Sequence, residues 1–137
     1  MILVDSNIII DLFERDPAWR DWSRLQLAEA VAAGPVAINS VVVAECAPRF
    51  ASLDELRMYL GGLEIQIEDL PLEAAFHAGQ VFRHYRRTGT GREKILADFL
   101  IGAHAQLLGA TLLTRDKRIY ARYFPQLSLR TPETDNG

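Results

Sequence analysis

The sequence predicts an α/β domain built on a mainly parallel sheet of four to five strands. Three observations predict it. Short apolar runs alternate with longer segments of helical periodicity along all 137 residues. Each run is followed closely by a helix start, as strand–helix–strand crossovers require. Hydrophobic residues make up 49% of the chain, enough for one core and too many for disorder.

The elements follow in order. Ile2-Leu3-Val4 is an apolar run of the kind buried on both faces of a parallel sheet. Asp5-Ser6-Asn7 breaks it, and Ile8 to Phe13 follows as a short helix. Asp16-Pro17 places an N-cap acid before a first-turn proline, predicting a helix from there to Gly34-Pro35. Val36 to Asn39 is the second strand. Ser40 caps a helix over Val41 to Ala47, which Pro48 limits. Ser52-x-x-Glu55 is a capping box for a helix that stops at Gly61-Gly62. Glu64 to Glu68 alternates polar and apolar residues and reads as a third strand at an edge. Pro71 opens a long helix through Tyr85, closed by Thr88-Gly89-Thr90-Gly91. Lys94 to Leu108 is the next helix, ended by Gly109. Ala110 to Leu113 is the fourth strand, Lys117 to Tyr123 a helix, and Leu127 to Leu129 a fifth strand. The expected organisation is a single domain over 1–130 with a short polar tail over 131–137.

Several classes are excluded. Fifteen basic residues against 18 acidic ones leave a net charge of −3, which argues against indiscriminate nucleic-acid binding. No apolar run approaches the roughly 18 residues of a membrane span. The start of the chain lacks the basic leader of a signal peptide. Cys46 is the single cysteine, so no disulfide forms within the chain, and a reducing cytoplasmic setting is expected.

Four acids stand where acids are costly. Asp5 directly follows a buried strand, and Asp116 closes another after Leu112-Leu113-Thr114. Glu45 interrupts Val41-Val42-Val43-Ala44, and Asp98 interrupts Ile95-Leu96-Ala97 and Phe99-Leu100-Ile101. Singly, Asp5 and Asp116 are also what turns and helix caps use, and Glu45 could pair with Arg49. Together they fall at the carboxyl ends of strands or on helices packed near them, where α/β ligand sites lie. Two carboxylates ~5 Å apart repel by about 3 kcal/mol at an effective dielectric of about 20. Four such groups call for a bound cation or a retained proton. Oxygen donors without His or Cys select a hard ion, Mg²⁺ or Mn²⁺. Such an ion suits phosphodiester hydrolysis.

These residues resemble the PIN-domain nucleases, in particular the VapC-like toxins of bacterial and archaeal toxin–antitoxin pairs. The resemblance covers nearly the whole chain. It consists of a first strand with Asp5-Ser6-Asn7, a helical Glu45 after the second strand, Asp98 in an apolar helix, and a strand ending Thr114-Arg115-Asp116. It implies a PIN-like three-layer α/β/α sandwich and metal-dependent endonucleolytic cleavage of single-stranded or looped RNA. Asp5, Glu45, Asp98 and Asp116 take the catalytic and metal-binding positions. Ser6 and Thr114 match hydroxyls that orient those acids or a metal-bound water, and Asn7 matches a less constant polar position. The resemblance also implies a homodimer and a small antitoxin as inhibitor.

Two basic stretches flank the acids. Arg83, Arg86, Arg87, Arg92 and Lys94 precede Asp98, and Arg115, Lys117, Arg118 and Arg122 surround Asp116. They read either as solvated helix faces or as phosphate contacts, with Arg86, Arg87, Arg92, Lys94 and Arg115 the candidate RNA-binding residues. His77, His84 and His104 read as structural, and Trp19 and Trp22 as core or interface. Other functions compete less well. A phosphoacceptor receiver module, which also binds Mg²⁺, wants adjacent acids after the first strand, where this chain has Ser6 and Asn7. A haloacid-dehalogenase-type phosphatase wants an acid at position 7. A housekeeping RNA-processing nuclease would use the same acids without an antitoxin. A catalytically dead binding module would have no need of the complete acid set.

Overall fold

The apolar run after Met1 becomes strand β1 (Ile2–Val4), with Leu3 and Val4 fully buried. The computed structural model describes residues 1–85 and 92–132. After β1 come α1 (Ser6–Phe13), α2 (Arg20–Ala33), β2 (Val36–Asn39), α3 (Ser40–Cys46), a 3₁₀ turn (Ala47–Arg49) and α4 (Leu53–Gly62). The second half runs β3 (Gln66–Glu68), α5 (Leu72–Tyr85), α6 (Arg92–Leu108), β4 (Thr111–Leu113), α7 (Lys117–Tyr123) and β5 (Leu129–Arg130). Among the described residues, no helix is long and apolar enough to cross a membrane.

The five strands form one sheet in the order β3-β2-β1-β4-β5, and every pairing is parallel. The chain steps outward from β1 through β2 to β3, then crosses back to β4 and steps outward to β5. Right-handed crossovers therefore put α1 to α4 on one face and α5 to α7 on the other. The result is the expected α/β/α sandwich. It also makes the β1–β4 boundary the point where the direction of winding reverses, where ligand sites open in such sheets.

Local chemistry explains most boundaries, and corrects some expectations. Asp16 does not cap α2. Its carboxylate accepts from the Ala18 and Trp19 backbone N–H groups at 2.8 and 2.9 Å, forming a turn before the helix begins at Arg20. The cap of α3 is Asn39 rather than Ser40, because the Asn39 side chain accepts from Val42 N–H at 3.0 Å. The capping box holds in altered form: Ser52 accepts from Glu55 N–H, while Glu55 reaches back to the N–H of Ala51. Glu64 stands at φ 61 in the exit turn of α4, so β3 starts only at Gln66. Gly109 takes φ 65 and lets Ala110 N–H return to the Ala105 carbonyl, which keeps Ala110 out of β4. The last strand is Leu129–Arg130, because the Leu127 N–H is used by the turn bond to Phe124. Residues 88–91, expected to close α5, and 133–137 of the tail lie outside the described residues.

An aromatic cluster joins the helices of the second face. Phe99 on α6 meets Phe82, Tyr85, Tyr123 and Phe124 with ring centroids 5.0–6.1 Å apart. Gly102 lets α6 approach α7: a Cβ there would lie 2.9 Å from the Phe124 ring and 3.2 Å from Tyr120, both buried. Gly102→Ala should therefore destabilise the protein by about 1–3 kcal/mol, although alanine is the better helix former. Urea unfolding should show a lower midpoint with an unchanged slope. A midpoint at or above that of the unaltered protein would mean that α6 and α7 are not in tight contact at this position.

Candidate active site

Asp5 sits at the junction of β1 and α1, and 1% of it is exposed. Its backbone extends the sheet by one bond, N–H to the Leu113 carbonyl at 2.9 Å. Its carboxylate then caps α1: Ser6 N–H donates to Oδ1 at 2.7 Å. Oδ2 accepts from the Thr114 hydroxyl at 2.7 Å and the Tyr120 hydroxyl at 3.0 Å. Burial pushes the Asp5 carboxyl up, while Thr114, the Lys94 charge, Ser6 and Tyr120 all pull it down without cancelling the effect. Burial and the neighbouring Asp5 and Asp98 charges raise Tyr120 well above the usual phenol range, so it remains a donor. A carboxylate offers about four acceptor directions, and three are used. One direction on Oδ1 remains for a cation.

Asp98 lies on α6 across from this point, 2% exposed. Its carboxyl is pushed up to about 7 by burial, against the Lys94 hydrogen bond and charge, with Asp5 and Asp116 adding to the rise. Asp98 therefore shares its field with both strand-end acids. Glu45 approaches from α3. Its Oε2 is 3.7 Å from the Lys94 ammonium, and its Oε1 is buried with no hydrogen-bond partner among the described residues. Lys94 itself is 2.8 Å from Asp98 Oδ1. Burial opposes the ammonium, yet Asp98, Glu45 and Asp5 together hold it well above the ordinary lysine range. Asp116 is exposed at the start of α7. Its N–H donates to Thr114 Oγ1 at 3.0 Å. Thr114 thus links the two strand-end acids.

The structure brings the predicted acids to one edge of the sheet but distributes the other predicted residues differently. Asn7 joins the site through Thr114 Oγ1, at 3.5 Å, and the Arg115 N–H, at 3.3 Å. Ser6 is buried and contributes its backbone N–H to Asp5. Arg49 does not pair with the Glu45 carboxylate; its guanidinium holds Glu14 and the Glu45 backbone carbonyl. Arg115 turns away from solvent. Its Nε and Nη2 grip the two oxygens of Asp11 at 2.8 Å each, and its guanidinium lies 4.9 Å over the Trp19 ring. Those bonds leave it a structural clamp instead of a free phosphate contact. Arg86 and Arg87 lie outside the described residues, and of Arg92 only the backbone, at the start of α6, is described.

Two participants were missed in the sequence. Tyr120 looks like an ordinary core residue of α7, and only the fold shows its hydroxyl on Asp5. Asp11 carried the same signal as Asp98, an acid inside an apolar helical run. It is 2% exposed and is satisfied by Arg115 and the Ser23 hydroxyl at 2.8 Å.

These residues fit a hard cation. The donors are carboxylate oxygens, one buried oxygen of Glu45 has no hydrogen-bond partner among the described residues, and the Lys94 ammonium already lies on Asp98 and Glu45. Among the described residues no three His, Cys, Asp or Glu side chains are gathered closely enough to hold a metal ion by themselves. Mg²⁺ does not require such a set, since it commonly keeps several waters and takes only a few carboxylates.

Comparison with known proteins agrees with this geometry. The PIN domain family matches residues 2–125. Ribonuclease VapC10 of Mycobacterium tuberculosis (strain CDC 1551 / Oshkosh) is 31% identical over 115 residues, 83% of this chain and 81% of that protein. The solved structure of VapBC2 from Rickettsia felis bound to a promoter DNA fragment superposes with a TM-score of 0.72 at 24% identity, over 97% of this chain and 100% of that one. A toxin-antitoxin complex from Klebsiella pneumoniae gives a TM-score of 0.66 at 26% identity, over 97% and 98%. The chain belongs to the PIN-domain family and is a relative of the VapC ribonucleases.

The raised Asp98 carboxyl sets an unusual pH dependence. Its folded value, about 7, lies above its unfolded value of 3.8, so between the two the native state binds more protons than the unfolded one. The stability due to that proton is present at low pH and lost as pH rises through about 7. In chelator, the melting temperature should rise as pH falls from about 8 to about 5, with a limiting slope near 1.4 kcal/mol per pH unit for one group. Asp98→Asn should flatten the profile and raise stability at pH 8. A melting temperature that instead climbs with pH through neutrality would show that Asp98 is not held above the normal carboxylate range.

Proposed function

We propose that this chain is a Mg²⁺- or Mn²⁺-dependent endoribonuclease that cleaves single-stranded or looped RNA and acts as the toxin of a toxin–antitoxin pair. The carrying observation is the buried Asp5–Asp98 carboxylate pair, flanked by Asp116 and Glu45, at the reversal point of the parallel sheet. Asp5, Glu45, Asp98 and Asp116 would hold the ion. When bound, that ion supplies Lewis acidity for the phosphate and for the attacking water. Thr114 and Tyr120 hold Asp5 Oδ2, which leaves Oδ1, met by the Ser6 N–H, with acceptor capacity for the ion. Asn7 in turn contacts Thr114. Asp98, its carboxyl pushed up to about 7 by burial, would lose its proton more readily with a divalent cation bound. Lys94 supplies positive charge at the mouth, beside the groove where a phosphate would lie.

The partner belongs to the same proposal. The similar structure from Klebsiella pneumoniae is a toxin-antitoxin complex, which supports a small antitoxin for this chain. An acidic groove is an anion-rich trap, and an inhibitor matching it would present a cation. Arginine suits this, since its planar fork can engage two carboxylate oxygens at once. A homodimer is also proposed, supported by Leu72 and Phe76, which leave apolar surface on one face of α5 at 83% and 68% exposure.

Incubation with total cellular RNA and Mn²⁺ or Mg²⁺, followed by mapping of new 5′ ends, tests the activity. Cleavage should stop with chelator and fall on the order of a hundredfold or more in Asp98→Asn and Asp116→Asn, about 2.7 kcal/mol in barrier. Cleavage by pure Asp98→Asn at the unaltered rate would remove Asp98 from the site. Expression of this chain alone should arrest growth, and co-expression of a small neighbouring gene should restore it. Normal growth with abundant soluble protein and no such neighbour would favour a housekeeping RNA-processing nuclease.

A further inference from the structure

We propose that Lys94 is a tethered counter-cation that competes with the divalent ion for Asp98 and Glu45, so that the chain sets its own metal affinity. This rests on the metal-binding reading above. The geometry carries it. Lys94 stands one helical turn before Asp98, which places its stem over that acid, and its Nζ closes to 2.8 Å. The same ammonium is 3.7 Å from Glu45 on α3, a separate element. It therefore bridges two of the proposed ligands and offsets negative charge that a divalent ion would otherwise neutralise.

The side chain can also leave. It is 58% exposed, while the Asp98 side chain it reaches is 3% exposed. A lysine serving only as a phosphate contact would keep its ammonium hydrated and out in the groove. This one is turned inward onto carboxylates. Its grip is incomplete, because a compact ammonium cannot engage both oxygens of each acid as a guanidinium fork does. Among the described residues, Glu45 Oε1 accordingly remains without a partner. The monovalent group thus holds the site without saturating it, and a divalent ion outbids it for the same oxygens.

The test compares the unaltered protein with Lys94→Met, which keeps the stem and removes the charge, and Lys94→Arg, which keeps the charge. Calorimetric titration with Mn²⁺ at pH 8 and melting in chelator are the two readouts, neither of which depends on cleavage. Lys94→Met should bind Mn²⁺ about tenfold more tightly or better, and should melt at a lower temperature in chelator, having lost its internal compensation. Lys94→Arg should stay within about threefold of the unaltered affinity, a difference well below the tenfold step. Equal or weaker Mn²⁺ binding by Lys94→Met would overturn the proposal while leaving the metal site standing on the unaltered protein's own binding curve. So would Lys94→Arg binding as tightly as Lys94→Met, since charge would then not be the competitor. If no form binds Mn²⁺, the metal reading falls and the competition with it.

Discussion

The structure depends on one buried carboxylate. Asp5 leaves β1, caps α1, and accepts hydroxyl donors from Thr114 at the end of β4 and Tyr120 in α7. Four elements from the two ends of the chain are thereby fixed against one group. An ionised carboxylate away from water is expensive unless it is hydrogen-bonded or paired. These donors offset part of that cost, and the upward shift of its carboxyl shows that they do not offset all of it. The remainder makes the position attractive to a cation. Packing and site chemistry are thus the same problem at this point: the bonds that orient Asp5 also anchor the middle of the sheet to its helices.

The aromatic face of the molecule serves that arrangement. Tyr120 can reach Asp5 only if α7 lies close against α6, and the absence of a side chain at Gly102 permits that approach. Phe99 and Phe124 fill the space on either side. Phe99 immediately follows Asp98 in α6, so the same cluster that holds α6 down also fixes the depth of the second buried acid. Precision in a site of this kind comes from supports locked by packing. Here the support is the contact of Phe99 and Gly102 with Tyr120, Tyr123 and Phe124.

The fold was legible because the determinants were local: apolar runs of strand length, capping residues and helix-ending glycines. The boundaries that shifted did so where one local bond displaced another, as when Asn39 rather than Ser40 capped α3, or when Glu64 took a left-handed turn and delayed β3. The acids were legible for a related reason. A charge inside an apolar helical run is costly, and that cost is visible without coordinates. What the run cannot show is the partner. Tyr120 has no sequence mark that distinguishes it from any core tyrosine, and its role exists only because β1 and α7 meet. The basic residues were the least legible. Charge density suggested phosphate contacts, but side-chain direction decides between solvent and an internal acid, and it is set by tertiary neighbours.

Asp11 and Asp98 make that last point physical. Both interrupt an apolar helix, both are buried to the same degree, and each receives a basic side chain. Arg115 meets Asp11 with two parallel bonds, rests on Trp19, and leaves Ser23 to complete the shell. Both oxygens of that acid are held by one guanidinium, so its charge is compensated within the fold. Lys94 meets Asp98 with a single point charge, divides its attention with Glu45, and leaves one oxygen of Glu45 bare. The difference lies between a planar fork, which closes a carboxylate, and an ammonium on a flexible stem, which only compensates it. A buried acid closed by arginine is architecture. A buried acid compensated only by lysine, beside other acids, is the arrangement that the proposed metal site calls for.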